Sequence, residues 1–219
     1  MVKYRFCYAK YGDAKYVSHL DLIRLFSRVF KRAGVPLTYS EGFNPHPKLA
    51  IGLPLSVGVT SECEYMDAEL ERQLSKADFE ALNKSMPIGL HFVSVGERIP
   101  TMKKLADISY ASYRVTVCCS PLSKEALGAF MKRETVLIEK TTKRKTAETD
   151  ILPDISSISI DGVTDDGVIL SMILAAGPSA NLKPDLVLKA MEQYIEDFSV
   201  VDYDIHRMAI LGSNGRPML

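Results

Sequence analysis

Twice within its 219 residues the chain runs through one order of patterns, strand, helix, strands, helix, strand, and few architectures accept that recurrence. In the first pass, residues 2–11 (VKYRFCYAKY) alternate apolar and polar, the signature of a half-buried strand. Ser18 then caps a helix, with Asp21 as a short-acid form of the capping box. Leu22, Ile23, Phe26, Val29, Phe30 and Ala33 recur at helical spacing and form its core stripe. Gly34 ends that helix and Val35-Pro36 leads out of it. A short strand is predicted at 37–39, then a loop rich in Gly, Pro and Asn. Apolar extended sequence follows at 49–59, a strand at 62–70, a helix at 76–85 and a closing strand at 90–98.

The second pass reads as a strand at 110–119, a helix at 123–131, and strands at 135–140, 155–160 and 168–176. A helix at 184–195 opens with proline in its first turn, and a strand at 203–211 follows. This is the βαββαβ ferredoxin-like plan in tandem: an α+β fold with antiparallel sheets. The expected division is a first half at 1–98, a link at 99–109 (IPTMKKLADIS) and a second half at 110–219.

Several function classes fall away. No secretory signal opens the sequence and no apolar run approaches the ~18–20 residues of a membrane span, so a cytoplasmic protein is expected. Cys7, Cys63, Cys118 and Cys119 are scattered, without a disulfide framework or CxxC spacing, and are expected as reduced, buried thiols. Histidines and cysteines never fall at metal-ligand spacings, and there is no nucleophile elbow or P-loop, so no metal or other cofactor is expected. Leu53-Pro54-Leu55-Ser56-Val57-Gly58-Val59 is not a phosphate loop, because it introduces no helix; Gly58 marks a turn or bulge and the apolar positions are expected in the core.

The overall charge balance, 27 basic against 27 acidic residues, is silent about partners, but its distribution is not. Residues 1–50 hold nine Lys/Arg against three Asp/Glu, and residues 151–219 hold four against ten. Each half starts basic and finishes acidic, a layout that would orient the protein toward a polyanion if it reflects one face. Arg24, Arg28, Lys31 and Arg32 share one side of the first helix, away from its core stripe, and could track phosphates. Lys140, Lys143, Arg144 and Lys145 crowd four cations into six residues of an expected loop. For both tracts the plainer reading is a solvated surface.

The most distinctive stretch is Tyr39-Ser40-Glu41-Gly42-Phe43-Asn44-Pro45-His46-Pro47-Lys48. Pro45 and Pro47 exclude a helix or central strand, and Gly42 permits a turn. A stiff loop is expected that presents Phe43, Asn44, His46 and Lys48, a set suited to base stacking, base-edge bonding and phosphate contact. A rigid connection with an exposed histidine is the alternative. His19, at the start of the first helix, and His46 are weak catalytic candidates, able to act as an acid–base pair only if the fold joins them. His91 and His206 lie in strand patterns and read as structural.

VSHLDLIRLFSRVFKRAGVPLTYSEGFNPHPKLAIGLPLSVGVTSECEY resembles the opening of the radical-SAM-linked proteins, a bacterial family, and KTTKRKTAETDILPDI resembles a later segment of it. The resemblance spans nearly the whole chain. It implies a partner radical SAM enzyme with a B12-binding-type region, and a role in RNA or protein modification; it supplies no catalytic residues. This chain lacks the closely spaced CxxxCxxC cysteines of a radical SAM cluster, so catalysis is expected to reside in the partner. The tandem plan is also similar to RNA-binding proteins of CRISPR systems, including their processing endoribonucleases. The glycine-rich C-terminal loop of those proteins is missing, since residues 196–219 carry only Gly212 and Gly215. Three roles follow as expectations: an accessory that binds tRNA or rRNA and presents it to the radical SAM partner, a metal-independent endoribonuclease, or a protein-docking subunit.

Overall fold

A computed structural model of the chain describes residues 1–141, 146–178 and 180–219. They form two compact units, Met1–Ile108 with Ala209–Leu219, and Ser109–Met208.

The first unit contains β1 (Val2–Lys10), α1 (His19–Arg32), β2 (Leu49–Ile51), β3 (Thr60–Leu70), α2 (Lys76–Lys84) and β4 (Leu90–Glu97). Its strands lie in the order β4-β1-β3, with β2 paired to β3, and all three pairings are antiparallel. That is the fourth-first-third-second arrangement of the ferredoxin-like plan. Helix α1 starts where Ser18 Oγ accepts from the Asp21 N–H, as its capping pattern predicts. Its buried residues Leu22, Phe26, Val29 and Phe30 join Tyr4, Phe6, Met66, Ala68 and Phe92 in one core. Aromatic rings dominate that core; Phe6 meets Phe92 at 4.8 Å and Phe30 edge-on at 5.5 Å.

Strand β1 departs from the half-buried expectation, being buried on both faces from Tyr4 to Lys10. Alternation tells which side chains are polar and not whether water reaches them. Here the second face is covered by Ile108, Ile210 and Met218, which pack on Cys7 and Tyr65 with Leu105 alongside. The expected link at 99–109 thus includes a 3-10 turn at Leu105–Asp107, and its Leu105 and Ile108 contribute to this layer. Arg5, fully buried, is the polar centre beneath it. Its Nε and Nη2 donate to Asp67 Oδ1 and Oδ2 at 2.6 and 2.9 Å, and its Nη1 donates to the carbonyls of Lys103 (2.8 Å) and Met218 (3.1 Å). Cys7 and Cys63 are a pair and not the separate thiols expected: their sulfurs meet, with Cα atoms 5.6 Å apart across a sequence separation of 56.

Two extended segments shrink. Residues 37–39 form no strand of their own but isolated bridges, Leu37 to Leu70 and Tyr39 to Pro47. The extended run from 49 ends at Ile51, because Leu53 takes a positive φ of 47° before Pro54 and Gly58 turns the chain at φ 88°. Leu55 and Val59 are buried, whereas Val57 is exposed.

Helix α2 begins with a full capping box between Ser75 and Asp78, and Arg72 grips the same carboxylate with donors at 2.6 and 2.8 Å. The Arg72 guanidinium first, and then the Ser75 backbone and hydroxyl, hold the Asp78 carboxyl far below the usual carboxylate range. Asp78→Asn should therefore cost about 1 kcal/mol at neutral pH. A lowered folded-state pKa gives stability that is present above the ordinary carboxyl value of about 4 and is lost as the pH falls toward the folded value. The difference in urea midpoint between the two proteins should hold constant above about pH 5 and close in acid. A gap that stays unchanged down to about pH 2 would contradict this account.

The second unit contains β5 (Ile108–Cys119) from Ser109 onward, α3 (Lys124–Met131), β6 (Leu137–Thr141), β7 (Thr146–Asp150), β8 (Ile155–Thr164), β9 (Gly167–Ala175), α4 (Pro184–Tyr194) and β10 (Val200–Gly212) as far as Met208. The order β10-β5-β9-β8 repeats the arrangement of the first unit. Burial alternates along β5 and β9, with Ala111, Tyr113, Val115 and Val117 inward on β5, so these strands keep the half-buried character their sequence predicts. The helices bury Leu127, Phe130, Val187, Leu188 and Met191. Strand β6 lies where a strand was expected at 135–140; its partner β7 was not expected, and the two pair apart from the main strands. The α+β fold of tandem ferredoxin-like halves is thus present.

Candidate nucleic-acid interface

The periodicity that buries one face of α1 leaves Arg24, Arg28, Lys31 and Arg32 exposed on another. All four line a single open groove of about 830 Å³, together with Val17, Asp21, Leu25 and Pro87. Asp21 is its one acid and is already engaged. Its carboxyl accepts from Ser18 Oγ at 2.7 Å and from Arg24 Nη1 at 3.2 Å. The Ser18 hydroxyl, and after it Arg24 and Arg28, hold its pKa below the usual range. Arg32 donates from Nη2 to the Ser85 carbonyl at 2.6 Å, which ties the groove wall to the end of α2. Neither the Arg28 nor the Lys31 side chain hydrogen-bonds or ion-pairs with another described residue, although the Arg28 charge acts on Asp21.

Between α1 and β2 the motif loop is closed at its neck. The Ser40 N–H donates to the His46 carbonyl at 2.8 Å, and the His46 N–H donates back to Ser40 Oγ at 2.9 Å. The Lys48 N–H then donates to the Thr38 carbonyl, and Gly42 turns the tip at a φ of 114° that favours glycine. Phe43 stands wholly in solvent, and Asn44 and His46 are exposed beside it. A phenyl ring left uncovered on a braced loop is unusual for a group of that size.

Lys48 points elsewhere, to Glu69 at 3.1 Å, and lines a second cavity of about 350 Å³ with Lys3, Pro47, Leu49, Ala50, Asp67, Ala68, Glu69 and Arg98. The sequence reading missed this set apart from Lys48. The available signal was the alternation itself, which puts Lys3 on the Arg5 side of β1 and Asp67 with Glu69 on one side of β3.

No hydrogen bond or ion pair among the described residues links His19 and His46. His19 sits at the head of α1 with its Nδ1 buried and unpartnered, while His46 belongs to the loop. Lys143, Arg144 and Lys145 lie outside the described residues, and of Lys140 only its place in β6 is described. No group of three or more His, Cys, Asp or Glu among the described residues could hold a metal ion, and no described helix is long and apolar enough to cross a membrane.

A family model described as an uncharacterized protein conserved in bacteria (DUF2344) matches residues 3–184. No curated protein matches the chain. Among solved structures it is similar to a chain of a Cbf5–Nop10–Gar1 complex, at 9% identity and TM-score 0.48, covering 94% of this chain and 49% of that one. A chain of an archaeal box H/ACA sRNP Nop10–Cbf5 complex gives 11% identity and TM-score 0.43, covering 92% and 46%. A chain of an H/ACA RNP bound to a substrate RNA containing 2′-deoxyuridine gives 10% and 0.44, again covering 92% and 46%. The protein thus spans about half the length of each of these chains.

Proposed function

The chain belongs to this uncharacterized bacterial family, and from that premise we propose that it is an RNA-binding accessory protein that presents tRNA or rRNA to a partner radical SAM enzyme. The observation that carries the RNA-binding part is the α1 groove. Four cations line it and its single acid is engaged by Ser18 and Arg24, so an incoming phosphate chain meets positive charge along three turns of helix. Phosphates on Arg24, Arg28, Lys31 and Arg32 would displace bound counterions, and the exposed Phe43 offers a stacking surface for an unpaired base. The partner is supported by the resemblance of the YSEGFNPHPK region to the radical-SAM-linked proteins.

Affinity purification from the native cells, with and without ribonuclease, tests both parts. A defined tRNA or rRNA fragment recovered beside a radical SAM enzyme is the expected result. Recovery of that enzyme with no RNA, in the same yield after ribonuclease, would replace this reading with a protein-docking subunit. An RNA recovered without the enzyme would remove the presenting role and leave the binding role.

A further inference from the structure

The cavity beside β2 and β3 has a charge balance that the α1 groove lacks. Four cations, Lys3, Arg5, Lys48 and Arg98, meet there around two carboxylates, Asp67 and Glu69. Glu69 is shared by Lys3 at 3.7 Å and Lys48 at 3.1 Å. Asp67 is shared by Arg5 at 2.6 Å and Arg98 at 3.3 Å. Two positive charges therefore remain uncompensated in this cluster: Lys3, Lys48 and Arg98 line the cavity of about 350 Å³, and the buried Arg5 adds its charge from behind Asp67. Excess charge of one sign in a half-enclosed space is costly unless a counter-ion enters.

The donors to receive one are available. Arg5 is fully engaged, by Asp67 and two backbone carbonyls, and acts as fixed charge behind Asp67. The Lys3 and Lys48 side chains are 59% and 41% exposed and can leave Glu69 for a stronger acceptor. The Nε–H of Arg98 is buried within ion-pair distance of Asp67, yet it is not aligned for a hydrogen bond, so this guanidinium is incompletely satisfied where it stands. Pro47, Leu49 and Ala50 supply an apolar wall beside these cations.

We infer that this cavity is a binding site for a phosphomonoester carried on a small, partly apolar body such as a nucleoside. The charge selects the class. A phosphomonoester bears about −1.5 to −2 at neutral pH and neutralises the excess, whereas a phosphodiester or a carboxylate bears one negative charge and leaves half of it. The site is therefore suited to a phosphorylated end and not to the interior of a nucleic-acid strand. Such a group could be the 5′-phosphate of an RNA or a free nucleoside monophosphate. The inference does not rest on the α1 groove.

Isothermal titration with adenosine 5′-monophosphate, and with adenosine as its control, tests the site. Alongside it runs a pair of RNA oligonucleotides of one sequence bearing 5′-phosphate or 5′-hydroxyl. The nucleotide is expected to bind and the nucleoside to fail. The double variant Lys3→Ala with Lys48→Ala, whose side chains are half exposed and leave the core untouched, should weaken nucleotide binding about tenfold or more. A 5′-phosphate preference lost in that variant would identify the ligand as an RNA end. Nucleotide binding with no preference between the two oligonucleotides would identify a free nucleotide. Equal binding of nucleotide and nucleoside, no binding of either, or an unaffected double variant would overturn the assignment. Because Arg24, Arg28 and Arg32 are separate from this cavity, their alanine triple variant should still bind the nucleotide. Its loss of RNA with nucleotide binding kept would place a failure in the groove and not here.

Discussion

Arg5→Met should destabilise the first unit by about 3–5 kcal/mol, read as a fall in urea midpoint, with the unfolding slope unchanged. Methionine keeps much of the side-chain length and removes the charge. The substitution deletes four hydrogen bonds from a fully buried guanidinium: two to Asp67 and one each to the carbonyls of Lys103 and Met218. Those two carbonyls are left without this donor beneath a covered layer, which is the expensive side of breaking a buried polar cluster. Arg98, 3.3 Å from Asp67, remains to balance the carboxylate and keeps the cost toward the lower end. Limited proteolysis should show cleavage between residues 209 and 219 rising in parallel, since Arg5 is one of the groups that hold this segment down. A change below about 1 kcal/mol would mean that the covering layer stands on Ile108, Ile210 and Met218 alone.

The second large effect belongs to α1. With Arg24, Arg28 and Arg32 all changed to alanine, RNA affinity should drop on the order of 100-fold near 0.1 M salt, from about 1 kcal/mol for each solvent-screened phosphate contact. The more telling quantity is the slope of log affinity against log salt, which should become shallower by about 2 for a single-stranded ligand, because three phosphates no longer release counterions. Stability should barely move, as all three side chains are exposed; among the described residues the Arg32 bond to the Ser85 carbonyl is the one hydrogen bond to another element that is removed. An affinity loss without a change of slope would mean the groove shapes the interface and does not contact phosphate.

The fold was legible where local pattern and tertiary demand agreed. Helix α1 shows Ser18, Asp21 and the Leu22–Phe26–Phe30 stripe all at their expected stations, and the strand order of each unit follows from the order of elements along the chain. What stayed hidden was long-range. Nothing near VKYRFCYAKY says that residues 108, 210 and 218 will cover its polar side, so a doubly buried strand reads as a half-buried one. The pairing of Cys7 with Cys63 was hidden for the same reason, being a product of the β1–β3 register. Leu37–Tyr39 looked like a strand by composition, and became bridges because Pro36 before it and the loop neck after it take up the backbone.

The candidate site divides along similar lines. The α1 cations could be placed on one face by helical spacing, and the constraint of Pro45 and Pro47 on the motif loop was visible in the residues. That Lys48 turns away from Phe43 toward Glu69 was not, since it depends on where β3 lies beside the loop. The Lys3–Arg98–Asp67–Glu69 cavity draws on three strands and the segment after β4, and no window of sequence contains it.

Arg5 and Met218 are bonded across 213 positions of chain, and this separation bears on how the protein is made. At roughly 5–20 residues per second a ribosome takes on the order of 10–40 s to add the later partner after the earlier one. During that interval β1, β3 and β4 can pair and α1 can dock, but the strand face bearing Cys7 and Tyr65 lacks the Ile210 and Met218 parts of its lid and Arg5 lacks one of its acceptors. The nascent chain thus carries a sticky half-finished sheet while residues 109–208 are added, whereas the second unit, contiguous from Ser109 to Met208, can complete itself in one stretch. Ribosome-bound chains stalled before residue 209 should therefore recruit chaperones that chains extended past residue 219 and through the exit tunnel no longer need.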